Sequence, residues 1–365
     1  MTAMDDLPKF KASDGREIAL LPGWFQNKVN IGWPHGIKDF KTFVETCMAL
    51  NAPYPKTFMF FLNKLITANS MKCLFEENGV RLDGTARLLD VCTGPAVLPR
   101  AFKALGWCGE AHGVDITDRR DDFTDEEFRR IWKEGRDATY SEDLNFGIPI
   151  FDLYQTMNSL QTGLTNCFDA LFSFDDIKSG GLMDSYTVGD FLAYEPRRKF
   201  DLVTLTCGME YFDANQFFAK LSGIMEAGGV FATFNDYFYE LYGASMNLPM
   251  EAPWLHARLS KPDLLRYYEE FHPDIAGHAK RAFYFPTTHF TVRDFIRTAG
   301  SHGLELISYR RTIQTYAVKN FFYINPFLRD YFFNCVLPDC RAINDTVSAD
   351  DLFTNYLTMV FRKAA

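Results

Sequence analysis

Short apolar runs bounded by acids, glycines and prolines recur along the chain at the length of β-strands. They predict strands at residues 88–90, 111–115, 200–206, 230–234, 303–308 and 356–361. Segments of helical apolar spacing lie between several of these runs. Strands that alternate with helices in this way are typical of an α/β fold built on a mostly parallel sheet.

Two of the predicted helices have clear end signals. Apolar residues at helical spacing predict a helix at 217–225, which Gly228 and Gly229 are expected to stop. A second helix is predicted at 290–300, with Thr291 as its N-cap and Asp294 at the capping-box position.

The turn after the first predicted strand carries the most informative chemistry. Asp90 lies at the carboxyl end of that strand, and small residues around Gly94 allow backbone amides to approach a ligand. Asp115 ends the second strand, where an acid can accept hydrogen bonds from two ribose hydroxyls. The turn therefore predicts a nucleotide-type site, although a glycine between a strand and a helix can also serve packing alone.

A third acid, Asp190, follows a predicted strand and precedes the strand at 200–206. This order of acids, strands and helices resembles the class I S-adenosylmethionine-dependent methyltransferases. The resemblance covers roughly residues 85–120, 185–235 and 289–312 and the tail. It implies a Rossmann-like methyltransferase sheet, parallel with one antiparallel C-terminal strand, within the α/β class.

The resemblance also implies the coenzyme S-adenosylmethionine and a set of residues that bind it. Asp90 with Gly94 would hold the methionine part, Asp115 the ribose, and Asp190 with Phe191 the adenine. The full predicted coenzyme site is Asp90, Cys92, Thr93, Gly94, Ala96, Asp115, Ile116, Asp190, Phe191, Thr206 and Cys207.

The chain departs from the family pattern at two positions of the turn. The family usually has an acid followed by three alternating glycines, whereas this chain has Cys92 and Ala96 on either side of Gly94. Both side chains are small, so a close backbone approach is still expected. The departure leaves open an alternative, a methyltransferase-like binding or regulatory subunit that has lost turnover. The absence of a Gly-x-Gly-x-x-Gly turn argues against a nicotinamide enzyme.

The rest of the chain is expected to cover the active edge of the sheet. We predict a helical N-terminal cap at residues 1–80, with apolar helical spacing at 39–50 and 57–66, and a coenzyme-binding core at 81–365. Insertions in the core near 120–184, 236–288 and 313–352 are expected to supply lid segments. A charged helix at 122–140, with Thr124 as its cap, belongs to the first of them.

The composition of the chain limits the classes of molecule that it is expected to bind. The 365 residues carry 47 acids against 38 bases, a net charge of −9, and have no sustained basic run, which disfavours nucleic acid and leaves a small molecule as the expected substrate. The eight cysteines form no CxxC pair and have no histidine partners at zinc-ligand spacing, so reduced thiols and no metal site are predicted. The amino terminus lacks a basic region followed by an apolar one, so a cytoplasmic location is expected. No apolar run is long enough to span a membrane.

Phenylalanine is abundant, with 36 residues, and it is dense between residues 320 and 333. This stripe predicts core packing or a homodimer interface, or else an aromatic wall around an apolar or cationic substrate.

Candidates for the chemistry lie after the strands at 200–206 and 230–234. Methyl transfer from a sulfonium is an in-line displacement, which needs a base only when the acceptor arrives protonated. We predict Glu210 as that base, Tyr211 as a stacking or hydrogen-bonding residue, and Asp236 or Tyr237 as a contact for the acceptor. The expected reaction is methylation of nitrogen or oxygen in a small molecule. Aminopropyl transfer has no supporting acidic signature, and His256 and His289 are interpreted as structural.

Overall fold

The computed structural model describes residues 6–22, 56–139, 180–239, 241, 250–282 and 290–365. The strands in these ranges are β1 Lys9–Lys11, β2 Glu17–Ala19, β3 Arg87–Val91, β4 Glu110–Asp115, β5 Ser185–Val188, β6 Phe200–Thr206, β7 Met225–Asp236, β8 Leu304–Ile313 and β9 Thr354–Lys363.

The helices, in the same numbering along the chain, are α1 Lys56–Glu77, α2 Val97–Ala104, α3 Asp125–Thr139, α4 Ala214–Ile224, α5 Leu255–Arg258, α6 Lys261–Phe271, α7 Ala276–Ala282, α8 Val292–Ser301, α9 Thr315–Val318, α10 Pro326–Tyr331, α11 Leu337–Ile343 and α12 Ala349–Leu352. Short 3₁₀ turns lie at Arg120–Asp122, Phe191–Ala193 and Met209–Tyr211, and wide π-helical turns at Lys319–Ile324 and Phe332–Val336.

Within the described part of the chain, seven strands form one sheet in the order β5-β4-β3-β6-β7-β9-β8. β3 pairs in parallel with both β4 and β6, while β9 runs antiparallel to β7 and to β8. The prediction of a parallel sheet with one antiparallel C-terminal strand is confirmed. The strand order reverses between β3 and β6, which in open α/β sheets places a ligand crevice beyond the carboxyl ends of these strands.

All five residues of strand β3 are buried, as befits a strand in the middle of the sheet. Leu88 and Leu89 are fully buried, the first against the layer that contains α1 and α2, the second against the layer that contains α4 and α8. Side chains alternate along a strand, so Asp90 is on the same face as Leu88. Its carboxyl group is therefore directed toward the α1 side of the sheet.

Local end signals decide where the helices start. The Thr291 hydroxyl accepts from the Asp294 amide, and the Asp294 carboxylate accepts from the Thr291 amide, so the predicted capping box of α8 is confirmed. Thr124 accepts from the Glu127 amide at 3.1 Å at the start of the charged helix α3.

The glycine pair at 228–229 does not stop a helix, and this prediction is wrong. Helix α4 ends at Ile224, and Met225 already begins strand β7, whose pairing with β6 shifts register around this point. Gly228 has φ +76°, and a Cβ on Gly229 would lie 2.9 Å from the Glu226 carbonyl oxygen and 3.2 Å from that of Asp201. The glycines therefore accommodate the register shift between β6 and β7, where the neighbouring carbonyl oxygens leave no room for a Cβ on Gly229.

The N-terminal segment contributes both a hairpin and a helix. β1 pairs antiparallel with β2, and Phe10 of this hairpin packs edge-to-face on Tyr267 of α6, with ring centroids 5.8 Å apart. Helix α1 covers the predicted helix at 57–66, while the one predicted at 39–50 lies outside the described residues. The division into a cap at 1–80 and a core at 81–365 stays a prediction.

Much of the aromatic stripe belongs to the core. Phe321 and Phe332 are buried and pack against Trp254 with centroids 5.1 and 5.4 Å away, whereas Tyr323 and Phe333 are exposed. Among the described residues, none of the helices is long and apolar enough to cross a membrane.

Candidate functional site

The turn between β3 and α2 has an alternating left-handed backbone. Cys92, Gly94 and Ala96 have φ values of 55°, 54° and 55°. A residue with a Cβ pays roughly 1 to 2 kcal/mol in this region, which is why glycine usually occupies it. Cys92 and Ala96 thus adopt, with a Cβ, a conformation that glycine adopts freely. Strain of this kind persists where the surroundings impose it, and it clusters at ligand sites.

The second acid is bound to this turn. Asp115 accepts a hydrogen bond from the Gly94 amide at 2.8 Å through one carboxylate oxygen and from the Thr117 amide at 2.9 Å through the other. The Tyr186 hydroxyl lies 2.8 Å from the Gly94 carbonyl oxygen and 3.1 Å from that of Thr117, within donating distance of both. Each Asp115 oxygen engages one amide and keeps lone-pair capacity for a ligand hydroxyl.

The first acid is enclosed. Asp90 is 2% exposed and accepts a 2.8 Å hydrogen bond from the Thr204 hydroxyl of β6. Burial raises the pKa of Asp90 to about 6, against the opposing effects of hydrogen bonding and of the nearby Lys64 charge. A positive ligand group beside this carboxyl would restore its ionised form.

The acids meet around one thiol. Burial raises the pKa of the Cys92 thiol far above its usual range, and the charges of Asp115, Asp90, Glu210 and Asp190 raise it further. Cys92 is therefore held as a neutral thiol, unsuited to nucleophilic catalysis. The four carboxyl groups give this part of the sheet edge a negative potential that favours a cation.

The remaining predicted coenzyme residues differ in accessibility. Asp190 is exposed and accepts from the Leu192 amide at 2.9 Å, and Ile116 is 69% exposed directly after Asp115, where it offers an apolar surface. The Phe191 ring instead packs in the core, with its centroid 5.8 Å from that of Phe212. Thr93 is buried against Gly113, where an added Cβ would lie 2.7 Å from Thr93 Cγ2.

A second turn, after β6, lies beside the first. Cys207 is exposed with φ 57°, and a Cβ on Gly208 would lie 3.2 Å from the Cys92 sulfur. The Asn235 side-chain oxygen accepts from the amides of Gly208 and Met209 at 3.2 and 3.3 Å. Asn235 thus fixes the loop in which the predicted base lies, and this role has no sequence signal beyond its place at the end of a strand.

Lys64 is a residue of this edge that the sequence patterns did not indicate. Its ammonium nitrogen on helix α1 lies 3.5 Å from the hydroxyl of Thr206, the last residue of β6. A lysine on an apolar helix carries no motif, so only the packing of α1 on the sheet reveals it.

The predicted catalytic residues differ in their exposure and in the elements that carry them. Glu210 is 9% exposed in the turn after β6 and lines a small cavity with residues that include Asn235, Phe295 and Met359. Tyr211 is 41% exposed beside it. Asp236 is the last residue of β7, and its backbone pairs with Tyr356 of β9.

The Tyr237 side chain is buried in the hydrophobic core. Its hydroxyl donates to the Asp351 carboxylate at 2.8 Å, and burial raises the pKa of Tyr237 well above its usual range. This geometry does not suit the suggested contact with an acceptor. His256 is 1% exposed, with Nε2 2.7 Å from the Phe238 carbonyl oxygen, consistent with a structural histidine. His289 lies outside the described residues.

No protein-family model and no curated protein sequence matches the chain. Solved structures that it resembles include an S-adenosylmethionine-dependent methyltransferase from Clostridium acetobutylicum ATCC 824, at 12% identity over 89% of this chain and 99% of that one, with a TM-score of 0.38. Another is magnesium protoporphyrin IX methyltransferase from Synechocystis PCC 6803 with bound S-adenosylhomocysteine, at 9% identity over 82% and 83% of the two chains and a TM-score of 0.38.

A third is geranyl diphosphate methyltransferase in complex with S-adenosylmethionine, at 12% identity over 81% and 85% of the two chains and a TM-score of 0.36. Similarity at this level adds nothing to what the sheet itself shows. By its strand order and its antiparallel strand β9, the chain has the fold of the class I S-adenosylmethionine-dependent methyltransferases.

Proposed function

We propose that this chain transfers a methyl group from S-adenosylmethionine to a nitrogen or oxygen atom of a small molecule. The observation that carries the proposal is the convergence of Asp90, Asp115 and Asp190 on the strained turn at Cys92. Backbone strain lowers the stability of the fold, and strained turns of this kind are concentrated at sites that bind a ligand.

The residues present fit the coenzyme. A Cβ added to Gly94 would find only the Arg119 guanidinium, at 3.8 Å, so the space next to the turn is open to a ligand. Asp115 would accept from the ribose hydroxyls, since its bonds to the amides of Gly94 and Thr117 already orient both oxygens. Ile116 would cover one face of the adenine, and Asp190 would hold its polar edge.

The negative potential around Cys92 suits a ligand with positive sulfonium and ammonium groups. When bound, S-adenosylmethionine supplies a methyl group already activated by its sulfonium. The protein's part is to align the acceptor with that methyl group and to exclude water. The neutral Cys92 thiol would not compete as a nucleophile, because its pKa is raised far above neutrality.

Glu210 remains our candidate for the base. Glu210 lies in the turn after β6 and lines a small cavity together with Asn235, Phe238 and Phe295, and a carboxylate at this edge of the sheet can accept a proton from an acceptor. Glu210→Gln should lower kcat roughly a hundredfold or more while coenzyme binding is retained, by the usual size of general-base effects. Calorimetric binding together with initial rates measures both, and normal turnover would remove Glu210 from the mechanism.

The direct test is incubation of the purified protein with S-adenosylmethionine labelled in its methyl group and a crude metabolite extract. A labelled small molecule and a stoichiometric yield of S-adenosylhomocysteine would establish the activity and identify the acceptor. Coenzyme binding with no labelled product from any extract would favour the alternative, a binding or regulatory subunit. No coenzyme binding at all would overturn the proposal.

A further inference from the structure

The amino-acid end of S-adenosylmethionine carries one positive and one negative group. Carboxyl groups at the sheet edge, with Asp90 foremost, can complement its ammonium. Its carboxylate would meet the same negative potential and be repelled. A site for the whole coenzyme therefore needs a cation near Asp90, and the predicted coenzyme residues include none.

Lys64 is a cation in the required place. Its ammonium nitrogen lies 3.5 Å from the Thr206 hydroxyl, and its charge opposes the burial effect on the pKa of Asp90. Thr206, Thr204 and Asp90 are on one face of the sheet, because Asp90 is paired with Thr204 and side chains alternate along β6. Helix α1 packs on this face of the sheet, so the Lys64 side chain extends from α1 to the carboxyl ends of β3 and β6.

The helix that carries Lys64 is firmly placed. Leu65, Ala68 and Met71 are fully buried against the sheet layer, and Phe75 packs edge-to-face on Phe102 of α2, with centroids 6.2 Å apart. The Lys64 side chain is half-buried and contacts Thr206 at the end of β6, which limits the rotamers that it can adopt. A charge held in position in this way loses little entropy on binding a ligand.

We infer that Lys64 binds the α-carboxylate of the coenzyme, so that helix α1 completes the site built by β3 and β6. This inference rests on the proposed function. The Lys64 ammonium would donate a hydrogen bond to the coenzyme carboxylate. The Thr206 hydroxyl would lie beside both the ammonium and the carboxylate. Asp90 and Lys64 would then recognise the two opposite charges of one amino-acid group.

The test compares two ligands that differ by a single carboxylate. S-adenosylhomocysteine has the complete amino-acid end, and S-adenosyl-3-thiopropylamine keeps the ammonium but lacks the carboxylate. By calorimetry, Lys64→Met should weaken binding of the first roughly tenfold to a hundredfold, as expected for a lost charge-assisted hydrogen bond. Binding of the second should change less than about twofold, and Lys64→Arg should restore much of the affinity for the first.

Lys72→Met is the matched control, because Lys72 is on the same helix and pairs with Glu76 at 2.6 Å, one turn further along α1. It should leave both affinities unchanged. Equal weakening of both ligands by Lys64→Met, or no weakening of either, would overturn the assignment of Lys64. If the wild-type protein bound neither ligand, the proposed function itself would fail, and this inference with it.

Discussion

Two regions of the molecule treat buried polar groups in opposite ways. In the first, which we call the cap cluster, the fully buried Arg258 donates to the Asp339 carboxylate at 2.8 and 3.0 Å, to the Tyr331 hydroxyl at 2.7 Å and to the Ala19 carbonyl oxygen at 3.3 Å. The Tyr331 hydroxyl donates to the same Ala19 oxygen at 2.6 Å. The cluster joins the hairpin to helices α5, α10 and α11.

In the second region, the carboxyl edge formed by the ends of β3 to β6, several carboxyl groups gather, with Lys64 as a nearby positive charge. Asp90 is as deeply buried as the members of the cap cluster, yet its hydrogen bond from β6 comes from the neutral hydroxyl of Thr204. The backbone there is left-handed at Cys92, Ala96 and Cys207. The cap cluster pairs its buried charge within the protein, whereas we propose that a positive group of the coenzyme completes the carboxyl edge.

The largest expected effect is the loss of Arg258. Arg258→Ala leaves Asp339 and Tyr331 without their buried partner, and breaking such a pair typically costs about 3 to 5 kcal/mol in the free energy of unfolding. Denaturant unfolding followed by fluorescence measures this loss. Arg329→Ala is the control, since Arg329 is half-exposed beside Asp330 and should change stability by less than about 0.5 kcal/mol. Equal effects of the two variants would contradict the proposed contrast.

Asp90 should make the carboxyl edge sensitive to pH. Its pKa is raised to about 6 in the folded protein from 3.8, so the fold binds its proton more tightly than the unfolded chain does. Its ionisation therefore costs stability as the pH rises from 4 to 7, by roughly 2 to 3 kcal/mol at 1.36 kcal/mol per pKa unit. Asp90→Asn should remove this loss, which unfolding of both proteins across the range would show.

Ligand binding should depend on pH with the opposite sign. Because a positive group favours ionised Asp90, affinity for S-adenosylhomocysteine should rise up to about tenfold per pH unit below 6 and level off above 7. A flat binding profile in the wild type would show that Asp90 does not face the ligand's ammonium.

A smaller effect is expected from Asp115, which belongs to the carboxyl edge but is partly accessible. Asp115→Ala should weaken S-adenosylhomocysteine binding roughly tenfold to a hundredfold, since two charge-assisted hydrogen bonds to the ribose would be lost. Asp190→Ala should weaken it less, because Asp190 is exposed. Calorimetry checks both, and unchanged affinity in Asp115→Ala would place the ribose elsewhere.

The sequence predicted what depends on local pattern. Strand β3 could be recognised because it is apolar on both faces, and helix α8 because Thr291 and Asp294 lie three residues apart. The prediction for Gly228 and Gly229 is wrong because a glycine pair after a helix has the same local pattern whether it ends the helix or lies at a register shift in the next strand.

Contacts between distant residues could not be predicted in this way. Lys64 meets Thr206 across 142 positions, and Arg258 meets Asp339 across 81. Neither lysine nor arginine on a helix differs locally from a solvated surface charge. Their roles follow only once the sheet brings α1 and the insertions together. For the same reason, the acids of the carboxyl edge could be predicted from the sequence, while the position of Lys64 could not.

The smallest effect tests whether the carboxyl edge is strained. Ala96 has φ 55° and ψ 37°, so Ala96→Gly relieves roughly 1 to 2 kcal/mol of backbone strain. The same substitution removes a buried methyl group and makes the unfolded chain more flexible, and both of these effects destabilise the fold. These terms nearly cancel, and we expect a change within about 1 kcal/mol. Ala101 is equally buried but helical, in α2, and there the same substitution should cost about 1 kcal/mol or more, since nothing is relieved. Unfolding free energies of the two variants measure the difference directly. If Ala96→Gly proved as destabilising as Ala101→Gly, the left-handed turn would carry no strain, and backbone strain would no longer set the carboxyl edge apart from the regular helix that follows it.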